Sequence, residues 1–311
     1  MNASKPGIAR RMLSQWQLQM MVLGGVVFIV IFAYLPMAGI TMAFKKMDYS
    51  YNLTKDIFAS PWVGFDNFLN FFNDYQFKDI LWNTLFLNLI QLLINFPAPI
   101  IFAILINEVF HTRFKKIVQS LSYFPHFLSW IVFGGIVLNL LSQDSGVLNP
   151  ALKALGLIQN NIDYLGDPHK FWGIVVISSL LKGLGWGSII YLAAITTIDT
   201  SLYEAATIDG AGRFHKIRHI TIPSITGTII VFLLLTISGL LNSSFDQIWV
   251  FQNNMNLDGS EVIDTYVFKM GLTQMRYSYT TAVGVFKSVI ALVLLVTSHL
   301  ISKKVTGRGI F

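Results

Sequence analysis

Six runs of apolar residues constrain this chain more than anything else in it: Met20 to Phe44, Ile80 to Asn107, Ile117 to Gln143, Phe171 to Ile198, Ile220 to Phe245 and Thr281 to Ser302. A helix of about 20 residues crosses the roughly 30 Å of bilayer hydrocarbon. Inside lipid the backbone must satisfy its own hydrogen bonds, so each run reads as a helix. With 54% hydrophobic and 12% charged residues, the chain carries about half the charged share of a soluble domain. The expected fold is therefore all-α and integral to the membrane: one domain, residues 20–302, between a 1–19 tail and a 303–311 tail, with no soluble module. The first run is too long for a signal-peptide core and lacks a small-residue cleavage site, so it is expected to be retained. The chain has no cysteine, which removes disulfides, thiol catalysis and cysteine-ligated metals.

Six spans leave both termini on one side, and basic residues decide which. The face of the termini carries twelve Lys and Arg, among them Arg113, Lys115, Lys116, Arg213, Lys216 and Arg218; the other carries eight, in longer loops that hold most of the acids. The positive-inside rule puts both termini in the cytoplasm. The net charge of +6 is thus a topology signal, and no interleaving of aromatic and basic residues marks a nucleic-acid surface.

Between the fourth and fifth runs lies a polar island, residues 199–223. Ser201 followed by Glu204 reads as a capping box, Leu202 to Asp209 as a short helix, and Gly210 as its left-handed stop. Ala211 to His219 can start a second, basic helix, and Pro223 suits the first turn of the next span. Glu204-Ala205-Ala206, Gly210, Ile220 and Ile222-Pro223 match the signature of the membrane permeases of type I binding-protein-dependent ABC importers, Ile222 in place of Leu being the one departure. The chain resembles that family over nearly its whole length. The resemblance implies that Ser201, Leu202, Glu204, Ala205, Ala206, Ile208, Asp209, Gly210 and Pro223 form the element that couples to a cytosolic ATPase. It further implies a second permease subunit, two ATPase subunits that carry the ATP and Mg, an extracytoplasmic solute-binding protein, and a multi-pass place in a bacterial cytoplasmic membrane. The chain itself is then a transport subunit rather than an enzyme, with no cofactor, no metal and no nucleic-acid partner of its own; membrane lipid surrounds it.

The segment Trp62-Val63-Gly64-Phe65-Asp66-Asn67-Phe68 is similar to one in the sugar-importing, maltose-permease-like branch; equally, it reads as an interfacial aromatic belt with a turn at Gly64. The tail through Gly307-Arg308-Gly309 also looks like that branch. Pro36 and Gly39 mark a kink in the first span, and Asn95, Pro97 and Pro99 a break in the second. In the third, His126 stands ready to donate to a carbonyl freed by Pro125. Ala151 to Ile158 reads as a surface helix.

Lys182 sits in the middle of the fourth run, where a charge needs a partner or a water-filled path; Gly183, Gly185 and Gly187 beside it allow close helix packing. Lys287 is placed to snorkel to the outer interface. Polar groups mixed with aromatic faces suit a sugar, which presents hydroxyls at its edges and C–H patches on its faces. On that ground Lys182, Trp186, Tyr191, Asn242, Phe245, Asp246, Trp249 and His126 are candidates for a translocation path, Asn242 to Trp249 also being readable as an interfacial helix end. Segments for a P-loop, H-E-x-x-H and G-x-S-x-G are absent. The expected function is ATP-driven uptake of an oligosaccharide or polysaccharide fragment by alternating access. A permease for a non-sugar solute, a secondary transporter, or a membrane enzyme built on Lys182, His126 and Asp246 stands beside it.

Overall fold

The computed structural model describes residues 15–47, 49 and 57–306. Most of the N-terminal tail, Lys55 and the segment from Gly307 on lie outside them. Among the described residues there is no strand, only an isolated bridge between Lys45 and Trp62. Five helices are long and apolar enough to span: α1 (Trp16–Phe44), the pair α3 (Phe77–Asn95) and α4 (Pro97–Asn107) taken together, α8 (Pro168–Thr196), α10 (Arg213–Ser238) and α14, Tyr277–Thr306.

The third expected span is different. It is split into Thr112–Phe127, which contains α5 (Thr112–Tyr123), and α6 (Trp130–Leu141), bent by 104°. Pro125 lacks an N–H, the chain narrows to a 3₁₀ turn over Phe124–Phe127, and Ser129 starts a new helix by accepting from Val132 N. The fifth span also departs from expectation. It starts at Arg213, so no separate basic helix precedes it, because a π turn at Ile217–Thr221 carries the chain past Pro223 without a stop. It ends at Ser238, before Gly239, and Asn242 lies in a non-helical stretch ahead of a separate helix, α11 (Phe245–Phe251). The expected surface helix begins earlier, as α7 (Leu148–Ala154), since Asn149 pins the loop from Gln143 to Ile162 and Gly156, at φ +69, ends it.

The chain divides into two units, Met1–Phe72 with Met270–Val285 and Asn73–Lys269 with Phe286–Phe311. In the first, α1 is distorted around Pro36 as expected, by a π turn at Val30–Tyr34 and a 3₁₀ end at Ala38–Phe44. Gly64 turns with φ +61 into α2 (Asp66–Phe72), and buried Asn67 donates to the carbonyls of Ala43 and Lys45. Trp62 and Phe65 stay exposed, as a belt requires.

In the second unit one apolar cluster joins α3, α8 and α11 through Leu87, Phe171, Val175 and Ile248; another joins α4, α8 and α10 through Ala103, Ile104, Leu192 and Ile225. Gly185 lets α8 touch α5: a Cβ there would lie 2.2 Å from the Ser122 carbonyl oxygen. Two short helices follow α11, namely α12 (Leu257–Ser260) and α13 (Ile263–Phe268). Lys287 does not snorkel; it pairs with Asp264, whose other oxygen accepts from Ser243 N. A carboxylate within reach outcompetes a distant interface.

Candidate functional site

The polar island folds into α9 (Thr200–Ile208), separated from the end of α8 by three residues. Its cap is Asp199 rather than Ser201: the Asp199 carboxylate accepts from Ser201 N at 2.9 Å, so the expected Ser201–Glu204 capping box does not form. Asp199 immediately precedes the helix and reaches the same orphan N–H groups first. That bond holds the carboxyl below its usual range. The stop is as expected. Gly210 has φ +76, with Gly210 N donating to Thr207 O and Ala211 N to Ala206 O, the paired bonds of a left-handed helix end.

No residue of α9 is buried; Leu202 is 50% and Ile208 88% exposed, an apolar surface with nothing of its own chain upon it. Glu204 and Ala205 are exposed as well. The inner side is tied to α10: Tyr203 Oη and Thr221 Oγ1 lie 2.9 Å apart, and Lys216 Nζ donates to Thr207 Oγ1 at 2.7 Å. Pro223 lies in α10 just beyond this tie. The short helix is thus joined to two spans.

Within the second unit, α3, α4, α8 and α10 surround a cleft of about 460 Å³. Of the sequence candidates, Trp186, Tyr191 and Asn242 line it. With them stand Asn88, Gln91 and Asn95, which sequence reasoning did not single out as path residues, although amides three and four residues apart in an apolar run were a legible signal. Asn88 is satisfied, donating to Thr84 O and Ser243 Oγ. Asn95 is not: both polar atoms of its side chain are enclosed without a hydrogen-bond partner. Among the described residues no charged side chain lines the cleft.

Lys182, His126 and Asp246 meet in a neighbouring pocket of about 430 Å³, with Ser129, Trp130 and Ser179. The Lys182 ammonium donates to the carbonyls of Pro125 (3.2 Å), His126 (2.9 Å) and Leu128 (2.5 Å), acceptors exposed by the bend between α5 and α6. Lys182, not His126, therefore serves those carbonyls. The His126 ring instead lies flat on Trp186, 4.4 Å between centroids and 2° between planes, forming a wall common to the pocket and the cleft. Among the described residues no hydrogen bond links Lys182, His126 and Asp246 to one another, and no group of three or more His, Asp or Glu is placed to hold a metal. Phe245 and Trp249 line neither cavity. They pack with Phe268, centroids 4.9 Å from each, and Lys269 lies over Trp249.

A set of membrane-spanning helices that presents one capped, exposed helix on a two-span mount, beside a polar cleft, defines a multi-span transport subunit driven from outside the chain. The chain belongs to the family of binding-protein-dependent transport system inner membrane components, whose pattern it matches over residues 77–307. It is similar to protein LplB of Bacillus subtilis, 43% identical over 94% of this chain and 91% of the relative. It is also similar to the polygalacturonan/rhamnogalacturonan transport system permease protein YteP of the same organism, 40% identical over 97% and 92%. Among solved structures it resembles a bacterial ABC transporter involved in import of the acidic polysaccharide alginate, with TM-score 0.88, 36% identity, and 96% and 99% of the two chains covered. A second such structure holds the alginate transporter with a pentasaccharide-bound periplasmic protein, at TM-score 0.88 and 36% identity. The chain is thus a membrane-embedded permease subunit of an ABC importer, and ATP hydrolysis belongs to a separate subunit.

Proposed function

We propose that this subunit forms one half of a permease pair that imports an oligosaccharide, a fragment of a larger polysaccharide, delivered by an extracytoplasmic solute-binding protein. The observation that carries the substrate class is the cleft. Its amides at Asn88, Gln91, Asn95 and Asn242, the Thr236 hydroxyl and the Trp186 ring match sugar hydroxyls and sugar C–H faces. The unpartnered Asn95 amide fits a site completed by its passenger, since a buried polar group without a partner costs about 1–3 kcal/mol until something bonds to it. Names of similar permeases that move pectic fragments support the same class. This cleft supplies no countercharge, so an acidic sugar would be read here through its hydroxyls.

One of two ATPase subunits, which bind ATP and Mg on themselves, docks on the exposed Leu202 and Ile208 face, the other on the partner permease, with both termini on that cytoplasmic side. Closure of the ATPase pair moves α9, and the ties at Tyr203 and Lys216 together with the short link to α8 carry the motion into α8 and α10. The cleft lies between those helices and opens to one side or the other. The docking contact must differ between the two states, because only differential binding shifts the equilibrium.

The test is reconstitution in proteoliposomes with the partner permease, the ATPase and the binding protein. Uptake of labelled pectic or alginate-type oligosaccharide, dependent on ATP and on the binding protein, is the expected result. Uptake that follows an ion gradient and ignores ATP would overturn the reading.

A further inference from the structure

A third cavity, of about 370 Å³, sits at the start of α8, at the far end of that helix from α9. Twenty-nine residues of helix separate the two ends, about 43 Å at 1.5 Å per residue. Its walls are fastened from three elements. Buried Asn83 of α3 donates to the carbonyls of Asp258 and Glu261; Trp172 Nε1 of α8 donates to Gly259 O at 2.8 Å. Gly259 is pressed so closely on Pro168 that a Cβ would lie 2.5 Å from the Pro168 carbonyl oxygen.

Into this rigid frame project two carboxylates, Asp79 and Asp258, and the indole of Trp82, 59% exposed and stacked on Phe86. Among the described residues neither carboxylate makes an ion pair. Lys170 is paired with Asp167 and Lys269 with Glu261, so neither neutralises them. Two exposed carboxylates lining one cavity with an electron-rich ring are complementary to an ammonium or guanidinium. A metal ion is disfavoured, because Asp79, Asp258 and His169 do not converge as a ligand set. A transit subsite for the sugar is disfavoured as well: the cavity and the cleft share no lining residue, and Trp82 and Gln91, nine residues apart on α3, lie about 180° apart around it at 100° per residue.

We infer that this cavity is the seat for a lysine or arginine side chain of the solute-binding protein, a charge-reading contact at the end of the molecule away from the ATPase. The inference rests on the proposed reading, in which that protein is the partner on this side. The cavity, prebuilt and unpaired, then sets encounter rate and partner choice.

The experiment uses the full reconstituted transporter and reads ATP hydrolysis against binding-protein concentration at low and high salt. For the double variant Asp79→Asn, Asp258→Asn the half-saturating concentration should rise about fivefold or more at low salt, and the difference should shrink at high salt. Asp258→Lys should bind more weakly still and be rescued by a Lys→Glu or Arg→Glu change at one position on the binding protein. The thermal midpoint of each variant checks its fold. Identical half-saturation and salt dependence in all variants, with a responsive wild type, would overturn this inference alone. Quenching of tryptophan emission by free oligosaccharide, lost in Trp82→Phe, would overturn it in favour of a sugar site. A wild type indifferent to its binding protein would bring down the proposed function and this inference together.

Discussion

Asn95 is the residue at which stability and function pull apart. Its amide is enclosed and unbonded, so Asn95→Leu should leave the folded protein as stable or more stable, by about 1 kcal/mol or more, while uptake falls. Thermal unfolding and transport measured on the same preparation check this; a loss of stability equal to the loss of uptake would make the amide structural. Asp199 gives a pH dependence with a definite sign. Its folded pKa is lowered by the Ser201 N–H, so its support of α9 is complete above the ordinary carboxylate value and is lost as pH falls through the lowered one. Amide exchange at Ser201 should quicken across that acid window, and Asp199→Asn, which keeps a capping oxygen, should abolish the pH response. Gly210→Ala faces open space but must hold φ +76, which costs about 1 kcal/mol or more, and should lower solute-stimulated hydrolysis through a displaced α9. The glycine and the helix it ends were legible in the sequence. The identity of the cap was not, because Asp199 and Ser201 are both good capping residues and only the backbone path chooses between them.

The bent α5–α6 element depends on a charge from another helix. Pro125 signalled a freed carbonyl, yet a 104° turn exposes several, and a donor from another helix meets them. Lys182 satisfies three of them. Lys182→Met should therefore destabilise the protein by roughly 2 kcal/mol or more, since charged hydrogen bonds contribute about 1.5–3 kcal/mol each and buried carbonyls are left unmet. It should also loosen the His126–Trp186 wall. Cysteines placed by His126→Cys and Trp186→Cys report this: they should cross-link readily in the wild-type background and poorly with Lys182→Met. The charge was visible in the sequence as an anomaly, but its use was not, as its partners lie 54 to 57 residues away.

α8 runs from the cavity at Pro168 to the link before α9, and the cleft lies along its length. Trp186→Ala removes an aromatic face of the cleft, and the KM for oligosaccharide uptake should rise roughly tenfold, as loss of about 1.4 kcal/mol of stacking would give. An unchanged KM would move the path away from this wall. Trp186, Tyr191 and Asn242, chosen from their chemistry, line the cleft, whereas Phe245 and Trp249, equally sugar-like by type, were drawn by Phe268 into a separate aromatic group.

By itself the sequence determined the membrane fold, the number of apolar runs, the short helix of the polar island with its Gly210 stop, and the absence of a P-loop. Those follow from local composition and from backbone demands that act within a few residues. Only the tertiary structure decided that the third span bends, that the fifth stops at Ser238, that Lys287 pairs with Asp264, and which polar residues share a cavity. Each of these turns on which distant group reaches an unsatisfied charge or carbonyl first, and that competition is settled by packing.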